Sequence, residues 1–298
     1  MITRLVLSGG GPAGFATLGA LFEMEKRGEL IASQIESVHG TSCGAVIGAC
    51  VAMGYDIGSL FDYFVKRPWH ETPIPRNSLL ATWEKGGLLD VRAISLAIKP
   101  LIEAKGGTTD MTLSEFHDKF GKEVSVYATD ITGHTFNSVK LHRSTHGQTT
   151  ISEALTASCA IPGLFAPVSI GDQVLVDGFL TQNFPLDSCI DADECEPGEV
   201  LAVDLYTGMT KSMAGGKPSS SLPDIMARIA LCSAGTLSRK RPQTHSSSAK
   251  VIVCNAELDG ISSFRKVWKN EEERTRLVEI GSSAVRSYVL DVTNSRSD

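Results

Sequence analysis

Two spacings of apolar residues alternate along the chain. Short apolar or alternating segments end at glycine or at a polar turn: Thr3–Ser8, Ile35–His39, Glu123–Thr132 (alternating through Val124, Val126 and Ala128), Glu199–Leu205 and Lys250–Asn255. Runs of that length, bounded by turn residues, predict buried strands. Between them lie longer stretches whose apolar residues recur every three or four positions, which predicts helices. These are Gly14–Arg27, Gly44–Met53, Asp56–Lys66, Asp90–Ala104 and Asn270–Val289. In the first, Phe15, Leu18, Leu21, Phe22 and Met24 carry the pattern. In the last, Leu277, Ile280, Ala284, Val285 and Tyr288 can share one face.

Punctuation supports the same division. Thr112 with Glu115, and Thr150 with Glu153, have the capping-box spacing and open helices to about Phe120 and Ser158. Gly133-His134 turns Glu123–Thr132 into a hairpin partner at Thr135–Leu141, and Gly171-Asp172 joins Val168–Ile170 to Val174–Val176. Asn183 and Pro185 mark a further turn, and His142–Thr149 reads as a loop. Thr207–Pro223 and Ser238–Ser248 also read as loops, flanking a helix at Leu222–Leu237. The stretch Arg67–Asp90 holds prolines, Trp69, Trp83 and Gly86-Gly87. It reads as an irregular connection with both tryptophans packed down, ahead of a lid or a lipid-contact surface. Alternating strands and helices predict one α/β domain over 1–298 with a mostly parallel sheet.

Composition narrows the function classes. The 298 residues are 42% hydrophobic and carry a net charge of −6 with both signs dispersed, which argues against a nucleic-acid partner. No apolar run reaches the ~18 residues of a membrane-spanning helix. The N-terminal run Leu5-Val6-Leu7 is too short for a secretory signal. The expected location is cytoplasmic or at a membrane surface. The seven cysteines are scattered without a C-x-x-C pair, which predicts reduced thiols. No metal-ligand spacing and no EF-hand loop occurs, so no catalytic metal and no cofactor are expected.

The chemistry gathers in residues 5–45. The first strand runs into Gly9-Gly10-Gly11-Pro12-Ala13-Gly14, where a helix starts. Consecutive glycines expose backbone N–H groups, and a helix N-terminus favours negative charge. Such a loop suits either a phosphate or the oxyanion of an attacked ester. The second strand runs into Gly40-Thr41-Ser42-Cys43-Gly44, the spacing of a nucleophile elbow that would present Ser42. Alone, the elbow motif is as readily a capped turn; beside the first loop it points to one catalytic site. Cys43 is expected to pack or to lend its backbone. Val176-Asp177-Gly178 places an acid at a strand end, suited either to a site at strand termini or to capping a turn.

The ordered set Gly9–Gly14, Gly40–Gly44, Ala157–Phe165 with Pro167 and Val168, then Val176-Asp177-Gly178 with Asn183 and Pro185, resembles the patatin-like phospholipases. The likeness covers about residues 2–205; residues 206–298 carry no placed motif. It implies a three-layer α/β/α sandwich and a lipid acyl hydrolase acting on phospholipid or another acyl lipid at a membrane or lipid aggregate. It also implies Ser42 as nucleophile, Asp177 as general base, and the loop Gly9, Gly10, Gly11 and Gly14 as oxyanion hole. The oxyanion would rest on N–H groups around Gly10 and Gly11, and Gly40, Gly44 and Gly178 complete the motifs. Two positions depart from the family pattern: Ala13 stands where a cation is common, and Phe179 where a small residue is, so Phe179 would narrow the approach to Asp177.

Three other readings compete. Gly9-x-Gly11-x-x-Gly14 fits a flavin or nicotinamide loop, but the second strand lacks an acid at its end; Glu36 stands near its start. A Ser-His-Asp hydrolase would need a late histidine, and only His245 follows Asp177. A non-catalytic lipid-binding protein would make the serine and aspartate coincidental.

Overall fold

The computed structural model describes residues 1–71, 87–89, 92–207, 225–226, 229–230, 232–234, 249–258 and 262–294. The first half runs β1 (Arg4–Leu7), α1 (Gly14–Lys26), β2 (Ser37–Thr41), α2 (Cys43–Ala52), α3 (Ile57–Lys66), β3 (Gly87–Leu89), α4 (Arg92–Ala104), α5 (Leu113–Phe120), β4 (Glu123–Asp130) and β5 (Asn137–Leu141). There follow α6 (Arg143–His146), α7 (Ile151–Ser158), β6 (Gly163–Phe165), β7 (Val168–Ile170), β8 (Gln173–Asp177), α8 (Leu186–Asp193), β9 (Val200–Tyr206), β10 (Lys250–Asn255), α9 (Ser262–Lys269) and α10 (Glu271–Asn294).

The sheet is built around β1. It pairs in parallel with β2 on one side and β9 on the other, and β4 and β10 extend those sides in parallel. Beyond β4 the sheet turns antiparallel, through β5 and β8, with β7 paired to β8. Side chains alternate across the pleat. Leu5, Leu7, Val38, Val126, Leu201 and Val203 join the larger core with α1, α2, α7 and α10. Val6, Val200 and Ala202 point the other way, onto Leu186 and Cys189 of α8. Burial on both faces is why β1 and β9 read as near-continuous apolar runs. The result is the expected three-layer, mostly parallel α/β/α arrangement.

Local signals hold where local chemistry decides. Asp56 caps α3 through Ser59 N–H, and both capping boxes form, Thr112 with Glu115 and Thr150 with Glu153. Three expectations change. The connection Arg67–Asp90 contains β3, which pairs in parallel with β6. The run read as a loop at His142–Thr149 holds α6, and the turn at Asn183 and Pro185 leads into α8. Strands of three residues and helices of one or two turns carry too few positions to show a period. Trp69 is packed down as expected: it is buried, its Nε1 donates to Phe64 O at 2.8 Å, and its ring lies 5.4 Å from that of Trp268. Trp83 and the loop residues 208–224 and 235–248 lie outside the described residues; the described residues from 225 to 234 are helical.

The C-terminal helices belong to this core. Buried Arg274 donates to the carbonyls of Val65 (2.6 Å), Val267 (2.8 Å) and Arg67 (3.1 Å), tying the ends of α3 and α9 to α10. No side chain can intervene where α10 crosses α1: a methyl group on Gly281 would collide with Ala16 O, and one on Gly19 with Val278 O. Gly281→Ala is therefore expected to lower stability by about 1–3 kcal/mol, the scale of overpacking a filled core. The urea midpoint followed by circular dichroism measures it; an unchanged midpoint would mean the helices are free to separate.

Candidate active site

Register places the site. Leu7 of β1 lies opposite Gly40 of β2, so the glycine loop and the elbow leave the sheet side by side. At the elbow Ser42 has φ 53° and ψ −126°, a conformation that costs a non-glycine residue of order 1–3 kcal/mol. It is held by its surroundings. Ser42 N–H donates to Ser158 Oγ at 2.8 Å, and Ser158 Oγ donates to Tyr127 O at 2.6 Å. The elbow glycines are where the backbone packs closest: a side chain on Gly40 would meet the Ala45 backbone at 2.6 Å, and one on Gly44 would strike the carbonyls of Leu7 and Ser8.

Asp177 reaches Ser42 from a strand of unexpected direction. β8 is antiparallel to β4, so it descends from the end of the sheet where the parallel strands finish. Asp177 pairs with Ala128, while the preceding β4 residue, Tyr127, pairs with Thr41. The strand thus stops level with the elbow. Ser42 Oγ donates to Asp177 Oδ2 at 2.8 Å, and Phe179 N–H donates to Oδ1 at 3.0 Å. The Asp177 N–H donates to Ala160 O at 3.0 Å, and Thr129 Oγ1 donates to Asp177 O at 3.0 Å. The carboxyl is buried. Burial raises its pKa to about 7, against the pull of the Phe179 N–H and the Ser42 hydroxyl. Gly178 has no room for a side chain, because a Cβ there would strike Tyr127 O. Phe179 gives its backbone to Asp177 while its side chain packs on Val176, Leu180 and Ala230.

The four loop glycines divide into two pairs. Gly9 N–H is taken by Asn183 O at 3.2 Å, and Gly14 N–H by the carbonyls of Gly11 and Pro12. The N–H groups of Gly10 and Gly11, with that of Gly44, are directed at the Cys43 thiol. Gly11 has φ 53°, the left-handed conformation that glycine adopts without strain. Ala13 is fully buried, so a cation at this position would need burial too. Burial, with the Asp177 charge, pushes Cys43 up to about 12, so it is no rival thiolate at neutral pH.

Ser158 and Asn183 were visible in the sequence only as motif letters, without a role. Asn183 clasps Gly9 twice, since its Nδ2 also donates to Gly9 O at 3.2 Å. A buried hydroxyl and a half-buried amide within short motifs are the signal that such roles leave. Among the described histidines none contacts Ser42. His39 is buried between Tyr127 Oη (2.8 Å) and Asp193 Oδ1 (3.1 Å). His39, Cys189 and Asp193 bring ligand-type atoms within 4.8 Å of one another, but Arg4 Nε stands 3.9 Å from Asp193 Oδ2 and opposes a cation there. His245 lies outside the described residues.

The patatin-like phospholipase family model matches residues 5–190. An uncharacterized NTE family protein of Mycobacterium tuberculosis is 31% identical over 233 residues, which is 76% of this chain and 34% of that protein. This chain thus spans about a third of that relative's length. A probable lipid hydrolase of Invertebrate iridescent virus 6 is 28% identical over 188 residues, 62% of each. In fold, VipD from Legionella pneumophila aligns with a TM-score of 0.56 and 17% identity, over 97% of this chain and 67% of that one.

The raised pKa of Asp177 has a sign for stability. An unfolded aspartate titrates near about 3.9. Between that value and about 7 the folded chain holds a proton that the unfolded chain has released. Stability therefore falls as pH rises through this window, and the penalty is complete above it. Asp177→Asn removes the titration. It should be more stable than wild type by on the order of 4 kcal/mol at about pH 8, with the difference fading towards about pH 4. Urea titrations at both pH values measure it; equal gaps at the two would refute a buried, proton-retaining carboxyl.

Proposed function

Because the chain belongs to the patatin-like phospholipase family, we propose that Ser42 and Asp177 act as a dyad that hydrolyses the acyl ester of a lipid. The observation that carries the proposal is the 2.8 Å hydrogen bond from Ser42 Oγ to a buried carboxylate, made at a strained elbow beside two loop N–H groups. A base works best when its pKa lies near the operating pH. Asp177, near about 7, meets that condition without a histidine.

In the proposed sequence, Ser42 Oγ attacks the ester carbonyl carbon and its proton passes to Asp177 Oδ2. The carbonyl oxygen takes up negative charge facing the N–H groups of Gly10 and Gly11. The tetrahedral centre collapses, the C–O bond to the alcohol breaks, and Asp177 returns its proton to the leaving oxygen. Water, deprotonated by Asp177, then attacks the acyl-Ser42 ester, and Ser42 leaves with that proton. The backbone clasps from Ser158 and Asn183 hold the elbow and loop in place, so little reorganisation accompanies the charge.

The proposed substrate is a phospholipid or another acyl lipid met at a membrane or aggregate surface. Buried Trp69 is not available as a membrane anchor, and no described helix is long and apolar enough to cross a membrane. The dinucleotide reading is not favoured: Glu36 precedes β2 and its side chain pairs with Arg4 at 3.4 Å, away from the loop.

A fluorophosphonate should label Ser42 and no cysteine, read by mass mapping. Ser42→Ala and Asp177→Asn should each lose at least about two orders of magnitude in ester turnover. For wild type, kcat/KM should rise through about pH 7 and then level, because only the deprotonated Asp177 accepts the proton. Turnover should survive EDTA, and His245→Ala should keep it. An active Asp177→Asn beside a dead His245→Ala would replace the dyad with a histidine-based triad.

A further inference from the structure

We infer that Phe264, carried by α9 outside the family-matched region, forms the wall along which the substrate's acyl chain lies and so sets chain-length selectivity. The inference rests on the ester-hydrolase reading of the same site.

Three contacts place it there. Phe264 lies against the oxyanion loop: a side chain on Gly11 would stand 2.8 Å from its Cζ. The same ring packs with Leu89, Ile94 and Ile161 against buried Ala160, Leu164 and Phe165. That apolar cluster adjoins the dyad, because Ala160 O accepts the Asp177 N–H at 3.0 Å. The cluster therefore touches the glycine loop at Gly11 through Phe264 and the end of β8 at Asp177 through Ala160. An acyl chain is bonded to the carbon whose oxygen sits at Gly10 and Gly11. Leaving that point, it meets Phe264 first and the Leu89–Ile161 surface beyond it. Phe264 is half-buried, so part of its ring remains open to contact.

The wall is fixed. Val267 of α9 is buried, and Trp268 of α9 packs on Trp69 at 5.4 Å between ring centroids. Arg274 binds Val267 O at 2.8 Å. Each methylene that such a surface removes from water strengthens binding. Selectivity should then grow with chain length until the wall ends.

The test compares p-nitrophenyl esters from acetate to dodecanoate, with wild type, Phe264→Leu and Phe264→Ala. For Phe264→Ala the ratio of kcat/KM for dodecanoate to that for acetate should fall about tenfold, the low end of what a methylene-scale change in an apolar pocket does. The loss should appear mainly in KM, and Phe264→Leu should recover most of it. Thermal unfolding checks that each variant is folded. In parallel, calorimetric binding of saturated fatty acids of the same lengths should show the same loss of length dependence in Phe264→Ala. Unshifted length dependence in both measurements, or an equal fall for all esters, overturns the inference. Shifted fatty-acid binding without Ser42-dependent turnover keeps the wall and sinks the hydrolase reading instead.

Discussion

The hydrogen bond between Ser42 Oγ and the buried Asp177 carboxyl is the interaction on which the site's arrangement depends. Neither partner is stable where it stands. The serine is at a positive φ, and the carboxyl has lost its water, which raises its pKa to about 7. Strain and desolvation of this kind persist only where the surroundings over-determine them. Here they do. Ser158 fixes the Ser42 N–H, and Ala160, Thr129 and Phe179 fix both the backbone and the carboxyl of Asp177. The same features make the proposed chemistry feasible, since a carboxylate poised near neutrality is a far better base than a solvated one.

A second constraint is the close approach of backbones around the loops. The chain segments at Gly40, Gly44 and Gly178 leave no room for a side chain, and Asn183 binds Gly9 through two hydrogen bonds. Because Gly9 and Gly14 have their N–H groups engaged, the donors proposed to face the oxyanion are those of Gly10 and Gly11. A loop whose donors are aimed before charge develops has little reorganisation left to do.

The segment beyond the family-matched residues is integrated with the core by contact. α10 crosses α1 through Gly19 and Gly281, and Arg274 joins three carbonyls from two other elements. A buried arginine is costly unless its donors are met, and three carbonyls accept from this one. Through α9 this segment brings Phe264 onto the glycine loop at Gly11. The C-terminal helices therefore bear on the site as well as on stability.

The sequence by itself determined whatever is written in neighbouring residues. Apolar runs bounded by glycine gave β1 and β9; capping boxes at Thr112 and Thr150 gave helix starts; the two glycine motifs and Asp177-Gly178 marked the residues proposed for the site. Such features depend on hydrogen bonds and periods that span a few residues. Tertiary structure alone decided the rest. That β8 runs antiparallel and stops level with Ser42 is a matter of register between strands far apart in sequence. The pairing of β3 with β6 is equally long-range. The pKa of Asp177 follows from desolvation by the whole surrounding fold, and the contact of Phe264 with Gly11 joins residues from opposite ends of the chain. Long-range packing leaves no local period to read, so these features emerged only when the chain was seen folded.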